Sequence, residues 1–250
     1  MKLSNPTTRF DLKIKKNEKV LDVGGGPNPH PRANVVIDKF VENDFHRKGT
    51  INIYKHQNFI EADGESLPFQ DKEFDYVICN HVLEHVESPQ DFLEELSRVG
   101  KRGYIETPSL IGEHLHPKES HKWVVLEIDS KLVLFEKTKI NFHTSCDFGP
   151  LFLEYMLKHS IAFKLLDKQY PQLRKVQYEW IDKIDYVINP IDDDYYVNYL
   201  KKWDENMIKT IIPKKSRLQD LVGTIPALCN IIKFQFRKRF VYGKKHPLNI

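Results

Sequence analysis

The chain has 250 residues, 40% of them hydrophobic and 29% charged, with a net charge of +3. This composition excludes a disordered or collagen-like chain, and no apolar run reaches the roughly 18 residues of a membrane span. Three cysteines (Cys79, Cys146 and Cys229) are too few and too far apart for a disulfide framework or a cysteine-rich zinc site. The N-terminus, MKLSNPTTRF, has no apolar core of a secretory signal, so a reducing, cytoplasmic setting is expected.

Short β-type runs alternate with helical or loop segments through the first half, the pattern of an α/β fold. Strands are expected at 19–23, 35–38, 58–62, 74–79 and 103–107. The first ends at Gly24-Gly25-Gly26, the second at Asp38, and the fifth is stopped by Pro108. One helix is well signalled. Ser88 is its cap, Pro89 its first residue, and Phe92, Leu96 and Val99 share a face before Gly100. Residues 122–128 and 131–136 read as a hairpin turning at Asp129-Ser130. Residues 151–160 and 168–188 read as helical or mixed, in a tract rich in aromatics. The expected divisions are a domain at 1–140, a lid or acceptor lobe at 141–213, and a basic tail at 214–250.

A strand running into Asp22-Val23-Gly24-Gly25-Gly26 is a nucleotide-type signature, because glycines let the backbone turn sharply and approach a ligand. Asp38, sixteen residues on, is placed to hydrogen-bond ribose hydroxyls. A dinucleotide loop needs a third glycine and a helix whose N-terminus faces pyrophosphate. Here that position is Pro29, within Pro27-Asn28-Pro29-His30-Pro31. S-adenosylmethionine carries no phosphate, so the loop favours it over NAD.

Glu61-Ala62-Asp63-Gly64-Glu65-Ser66-Leu67-Pro68-Phe69, then Asp75-Tyr76-Val77-Ile78, then Asn80-His81-Val82-Leu83-Glu84-His85-Val86 follow in order. Together with the glycine loop these resemble class I S-adenosylmethionine-dependent methyltransferases of the methyltransferase type 11 kind, over roughly residues 15–110. The resemblance implies a Rossmann-like sheet with S-adenosyl-L-methionine as cofactor. It places Asp22 and Gly24, Gly25 and Gly26 along the methionine moiety, and Asp38 with Lys39 at the ribose. It places Asp63 and Gly64 at the adenine, and Asn80 and His81 near the transferring methyl. The family's helix between strands one and two is expected to be short or missing here.

Methyl transfer to a hydroxyl needs a base near the methyl group. Ligands of open α/β sheets sit beyond the carboxyl ends of the strands. His81 and Glu106 lie there, and the loop 108–122 leaves the same edge. His121 is the first choice as base, with His81 or Glu106 as the second. Glu84, His85 and the titratable residues of 113–123 are further candidates. His114, His116 and His121, with Glu113 and Glu119, could supply metal ligands, but their spacing matches no zinc motif, so no metal is expected. A small-molecule or glycan acceptor, methylated at oxygen, is the expected substrate. An RNA or nucleobase methyltransferase and a non-catalytic binding protein are the competing readings.

Residues 214–250 hold nine Lys/Arg and one acid, a net +8, which leaves −5 on the rest. An apolar patch adjoining a cationic cluster suits an anionic membrane interface, and its apolar content favours lipid over nucleic acid. That extends the expected location to the inner face of the membrane. The alternation of Ile232, Phe234 and Phe236 also fits a strand packed on the body.

Overall fold

The computed structural model describes residues 1–6, 8–41, 49–191, 194–241 and 243–248, with backbone alone at Gln235 and residues 238–240. In chain order the strands are β1 (Lys2–Ser4), β2 (Val20–Val23), β3 (Val35–Asp38), β4 (Asn52–Ile53), β5 (Asn58–Glu61), β6 (Tyr76–Asn80), β7 (Arg102–Pro108), β8 (Trp123–Ile128), β9 (Lys131–Glu136), β10 (Lys175–Ile181), β11 (Tyr186–Ile188) and β12 (His246–Pro247). The α-helices are α1 (Pro89–Val99), α2 (Leu110–Leu115), α3 (Met156–His159), α4 (Ile161–Gln169), α5 (Glu205–Ile211) and α6 (Arg217–Phe240). The chain divides into two compact units. The first is 1–107 with 177–185 and 242–250, and the second is 108–176 with 186–241.

The first unit is a seven-stranded sheet in the order β1-β10-β7-β6-β2-β3-β5. β2 pairs in parallel with β3 and β6, β3 with β5, and β6 with β7. Numbered by appearance, these five strands run 3-2-1-4-5, the doubly wound order of a Rossmann-like sheet. All four residues of β2 are buried, as a strand covered on both faces requires. Val20, Ala33, Val36, Tyr76, Ile78 and Tyr104 make one of its apolar clusters. α1 forms as its sequence dictates. Ser88 Oγ accepts from the Asp91 N–H at 3.4 Å, and Phe92, Leu93, Leu96 and Val99 are buried.

Residues 24–34, all described, hold turns and no helix, as the proline-rich loop implies. β10 is a correction to the reading of 168–188 as helical or mixed. Val176, Tyr178 and Trp180 alternate with Gln177 and Glu179, and all five are buried. The polar pair is satisfied within the sheet. Gln177 donates to Tyr104 and Glu106, and Glu179 accepts from Ser4 and Tyr76.

In the second unit β11, β9 and β8 form a smaller sheet. The hairpin turn is as expected, with φ of 50° at Asp129 and 63° at Ser130, the left-handed pair of a two-residue turn. The boundaries expected near 140 and 213 both fall inside this unit. The hairpin residues Val124, Leu126, Val133 and Phe135 share a core with Tyr196 and Tyr199, and Trp203, Met207 and Ile211 pack against it. Residues 232–236 are helical rather than extended, within the 24-residue α6. Its start is fixed by a reciprocal capping box between Ser216 and Gln219.

Candidate cofactor and methyl-transfer site

The strand order reverses between β2 and β6, and ligands of such sheets bind outside the carboxyl ends at that point. β2 delivers Asp22 and the glycine loop there, and β6 delivers Asn80 and His81. The Gly24 and Gly25 N–H groups both donate to the Ile37 carbonyl, at 2.9 and 3.3 Å, which folds the loop back onto β3. Gly24 has φ +68°, and a Cβ there would lie 2.3 Å from Val82 Cγ2, so backbone and space both demand glycine. At Gly64 a Cβ would meet the Phe92 ring at 2.4 Å.

The proline-rich loop serves Asp22. Pro29 and Pro31 have no N–H, and the His30 N–H between them donates to Asp22 Oδ2 at 2.6 Å. The His30 ring is itself fixed. Its Nδ1 accepts from the Arg32 N–H, and its Nε2 faces the Arg9 carbonyl at 2.9 Å. Burial, with the Arg9 charge second, pushes its pKa down to about 3, so the ring is neutral. Asp22 is 1% exposed. Burial raises its pKa to about 6 against the lowering effects of Arg9 and the His30 N–H. Asp22 Oδ1 is a buried acceptor without a hydrogen-bond partner, and so is Asn80 Oδ1 on the neighbouring strand. Two such oxygens at a switch point call for a donor from a ligand.

At the other end of the loop cluster, Asp38 Oδ1 accepts from the Phe40 N–H at 3.1 Å. Lys39 Nζ pairs with Asp63 Oδ2 at 2.5 Å, and Asp63 Oδ1 accepts from the Glu65 N–H. The Asp63 hydrogen bond raises the Lys39 pKa. For Asp63, burial opposes ionisation, but Lys39 and the Glu65 N–H outweigh it and hold the carboxyl below its usual range.

His81 follows β6 in a left-handed conformation, φ 58°, a strained state that clusters at functional sites. Its N–H donates to the Glu106 carbonyl at 2.7 Å. Its ring lies between two buried carboxylates. Nδ1 is 3.1 Å from Glu84 Oε1, and Nε2 is 3.5 Å from Glu106 Oε1. Both ring nitrogens therefore face a carboxylate oxygen, Nδ1 the more closely. Glu84 Oε2 accepts from Thr107, and Glu106 Oε2 accepts from Tyr104 and Gln177. The ring is 39% exposed, whereas the two carboxylates are almost wholly covered. Burial works against its charge, but Glu106 and Glu84 prevail and raise its pKa above the ordinary histidine value.

His121 lies in the second unit. Its Nδ1 is 2.5 Å from Glu113 Oε1, and Lys137 Nζ donates to Glu113 Oε2 at 2.6 Å. Thus the strand ends of the first unit bring together Asp22, Asn80, His81 and Glu106, and within the second unit His121 pairs with Glu113. His30 is the residue of the site that sequence reasoning missed, and Glu84, a candidate by sequence, is placed against His81. Glu84 was visible as the i+3 neighbour of His81, but the role of His30 depends on a loop path that no short pattern encodes.

Residues 34–105 match the model of a protein family described as a methyltransferase domain. Over 66 residues the chain is 42% identical to the uncharacterized protein MJ1123 of Methanocaldococcus jannaschii, covering 24% of this chain and 32% of that one. Over 151 residues it is 30% identical to the uncharacterized methyltransferase C1B3.06c of Schizosaccharomyces pombe, 52% of this chain and 51% of that one. It is also 26% identical over 125 residues to a malonyl-[acyl-carrier protein] O-methyltransferase of a Marinomonas species, 46% of each chain. Over residues 34–105, under a third of its length, the chain is similar to class I S-adenosylmethionine-dependent methyltransferases.

The matches span 32% to 51% of these relatives' lengths. The methyltransferase domain implies S-adenosyl-L-methionine as cofactor, and its residues fit that molecule. The unpartnered oxygens of Asp22 and Asn80 suit an ammonium donor. The helix-free loop 24–34 offers no helix N-terminus to a pyrophosphate.

Proposed function

We propose that the protein is an S-adenosylmethionine-dependent O-methyltransferase acting on a small or carbohydrate-type acceptor, of the kind used in surface-glycan or related biosynthesis. The observation that carries the reading is the partly exposed His81 imidazole, held between Glu84 and Glu106 at the strand ends that also carry the buried, unpartnered oxygens of Asp22 and Asn80. The cofactor supplies an electrophilic methyl group on a sulfonium, and the protein supplies alignment and a base. Asp22 and Asn80 hold the amino-acid end, Asp38 the ribose, and Lys39-Asp63 with Gly64 flank the adenine end. His81 would take the proton of the acceptor hydroxyl as the methyl–sulfur bond breaks, which leaves a thioether, and the new C–O bond forms. Glu106 and Glu84 then stabilise the imidazolium, the role a carboxylate plays behind any histidine base.

The likeness to an O-methyltransferase supports transfer to oxygen. Phe148, Tyr155 and Tyr195 are exposed in the second unit, and aromatic faces of this kind stack on sugar rings. The test is methyl transfer from labelled cofactor to a panel of monosaccharides, nucleotide sugars and glycans, with tRNA and protein as competitors. Labelled sugar or glycan supports the reading. Labelling of tRNA or protein with none of sugar overturns it.

A further inference from the structure

The exposed and covered faces of α6 divide over its described side chains. The covered side carries Asp220, Gly223, Ala227, Ile231 and Phe234, positions three or four apart. Asp220 is held there by Gln169 and Tyr170 at the end of α4. The opposite side presents Leu218, Leu221, Val222, Ile225, Leu228, Ile232 and Phe236, each 44% to 69% exposed. Their spacing follows one stripe of a 3.6-residue helix. From Leu218 to Phe236 the stripe runs about 27 Å, an exposed apolar surface of the kind that marks an interaction site.

Its flanks are of one sign. Lys214, Lys215 and Arg217 precede it, and Lys233, Arg237, Lys238 and Arg239 follow, against Asp220 as the one acid, which faces inward. A second copy of the helix would bring these cations together with no acidic side chain to meet them. An anionic lipid surface neutralises them and takes up the apolar stripe. No described helix is long and apolar enough to cross a membrane, so the fitting geometry is a helix lying in the interface plane.

We infer that α6 docks the protein onto an anionic bilayer, with Leu221, Ile225, Leu228 and Ile232 among the acyl chains and the Lys/Arg flanks at the head groups. The inference is independent of the methyl-transfer reading, since lipid binding needs neither cofactor nor acceptor. Cys229 is exposed and lies on the border of the same stripe, which supplies a probe site.

The experiment uses the full chain with Cys146→Ser and an environment-sensitive fluorophore on Cys229, added to vesicles of phosphatidylglycerol and phosphatidylcholine or of phosphatidylcholine alone. The expected result is a blue shift and co-sedimentation with the anionic vesicles only. Combined Leu221→Gln, Ile225→Gln and Leu228→Gln should abolish both and leave the melting temperature unchanged. Lys214→Glu with Lys233→Glu should weaken binding at least tenfold. Equal binding to both vesicles, or none to either, overturns the inference. So does a dimer in sedimentation velocity that the triple variant dissolves, or salt-sensitive RNA binding without vesicle binding.

Discussion

The two units each set a histidine against a buried carboxylate, and they do so to different ends. His81 has a partly exposed ring, a left-handed backbone and two buried carboxylates beside it. His121 is 2% exposed, and its partner Glu113 is shared with Lys137, which already balances the carboxylate charge. The first arrangement leaves a ring that a substrate can reach, beside carboxylates that welcome its proton. The second shields its histidine and charged partners from water inside the second unit. A histidine beside a glutamate is therefore not evidence of a base until exposure and charge balance are counted.

The sharpest way to break this contrast is His81→Gln. It should lower kcat/KM on the order of 10²–10⁴-fold, with cofactor affinity changing far less. In the wild type kcat/KM should rise with pH through a pKa above the ordinary 6.5 of histidine, because Glu106 and Glu84 raise it and the base works unprotonated. The variant should lose that limb.

Next in size is Asp22→Asn. Burial moves the Asp22 pKa from 3.8 to about 6, which at about 1.4 kcal/mol per unit costs the ligand-free fold about 3 kcal/mol once the group is ionised. A raised folded pKa gives stability that is complete below 3.8 and lost as pH rises through about 6. The carboxamide still accepts the His30 N–H. Thermal denaturation at pH 8 should therefore show Asp22→Asn more stable than wild type, with S-adenosylmethionine affinity lower by roughly tenfold or more.

His121→Gln should behave in the opposite way. Loss of a buried hydrogen-bond partner costs about 1–3 kcal/mol of stability, read by chemical denaturation, with kcat/KM held within a few-fold. Catalytic loss at unchanged stability would reverse the assignment of the two histidines. The smallest effect belongs to Lys39→Met. With side chains 46% and 37% exposed, the Lys39-Asp63 pair should contribute less than about 1 kcal/mol, within reach of the same denaturation measurement.

The central sheet was legible because its strands are continuous buried runs. Val20–Val23 and Tyr76–Asn80 have no polar residue whose face must be argued until Asp22 and Asn80. α1 was legible from its cap, and the hairpin from Asp129-Ser130. β10 was not. Its Gln177 and Glu179 look solvent-facing in sequence and are buried only because Tyr104, Glu106, Ser4 and Tyr76 wait for them on neighbouring strands. α6 was ambiguous because Ile232, Phe234 and Phe236 fit a period of two, while the Ser216-Gln219 capping box that starts the helix lies sixteen residues upstream of Ile232. Within the site, Asp22, Asn80 and His81 were visible as motif residues. The pairing of His81 with Glu106 depends on the register that sets Asn80 opposite Glu106, a long-range fact.

The most direct single measurement is calorimetric titration of the purified protein at pH 8 with S-adenosylmethionine, S-adenosylhomocysteine and NAD. The unpartnered oxygens of Asp22 and Asn80 and the helix-free loop predict binding of both adenosyl ligands and none of NAD. Binding of NAD, or of neither adenosyl ligand, would contradict the placement of the cofactor at the β2–β6 switch point.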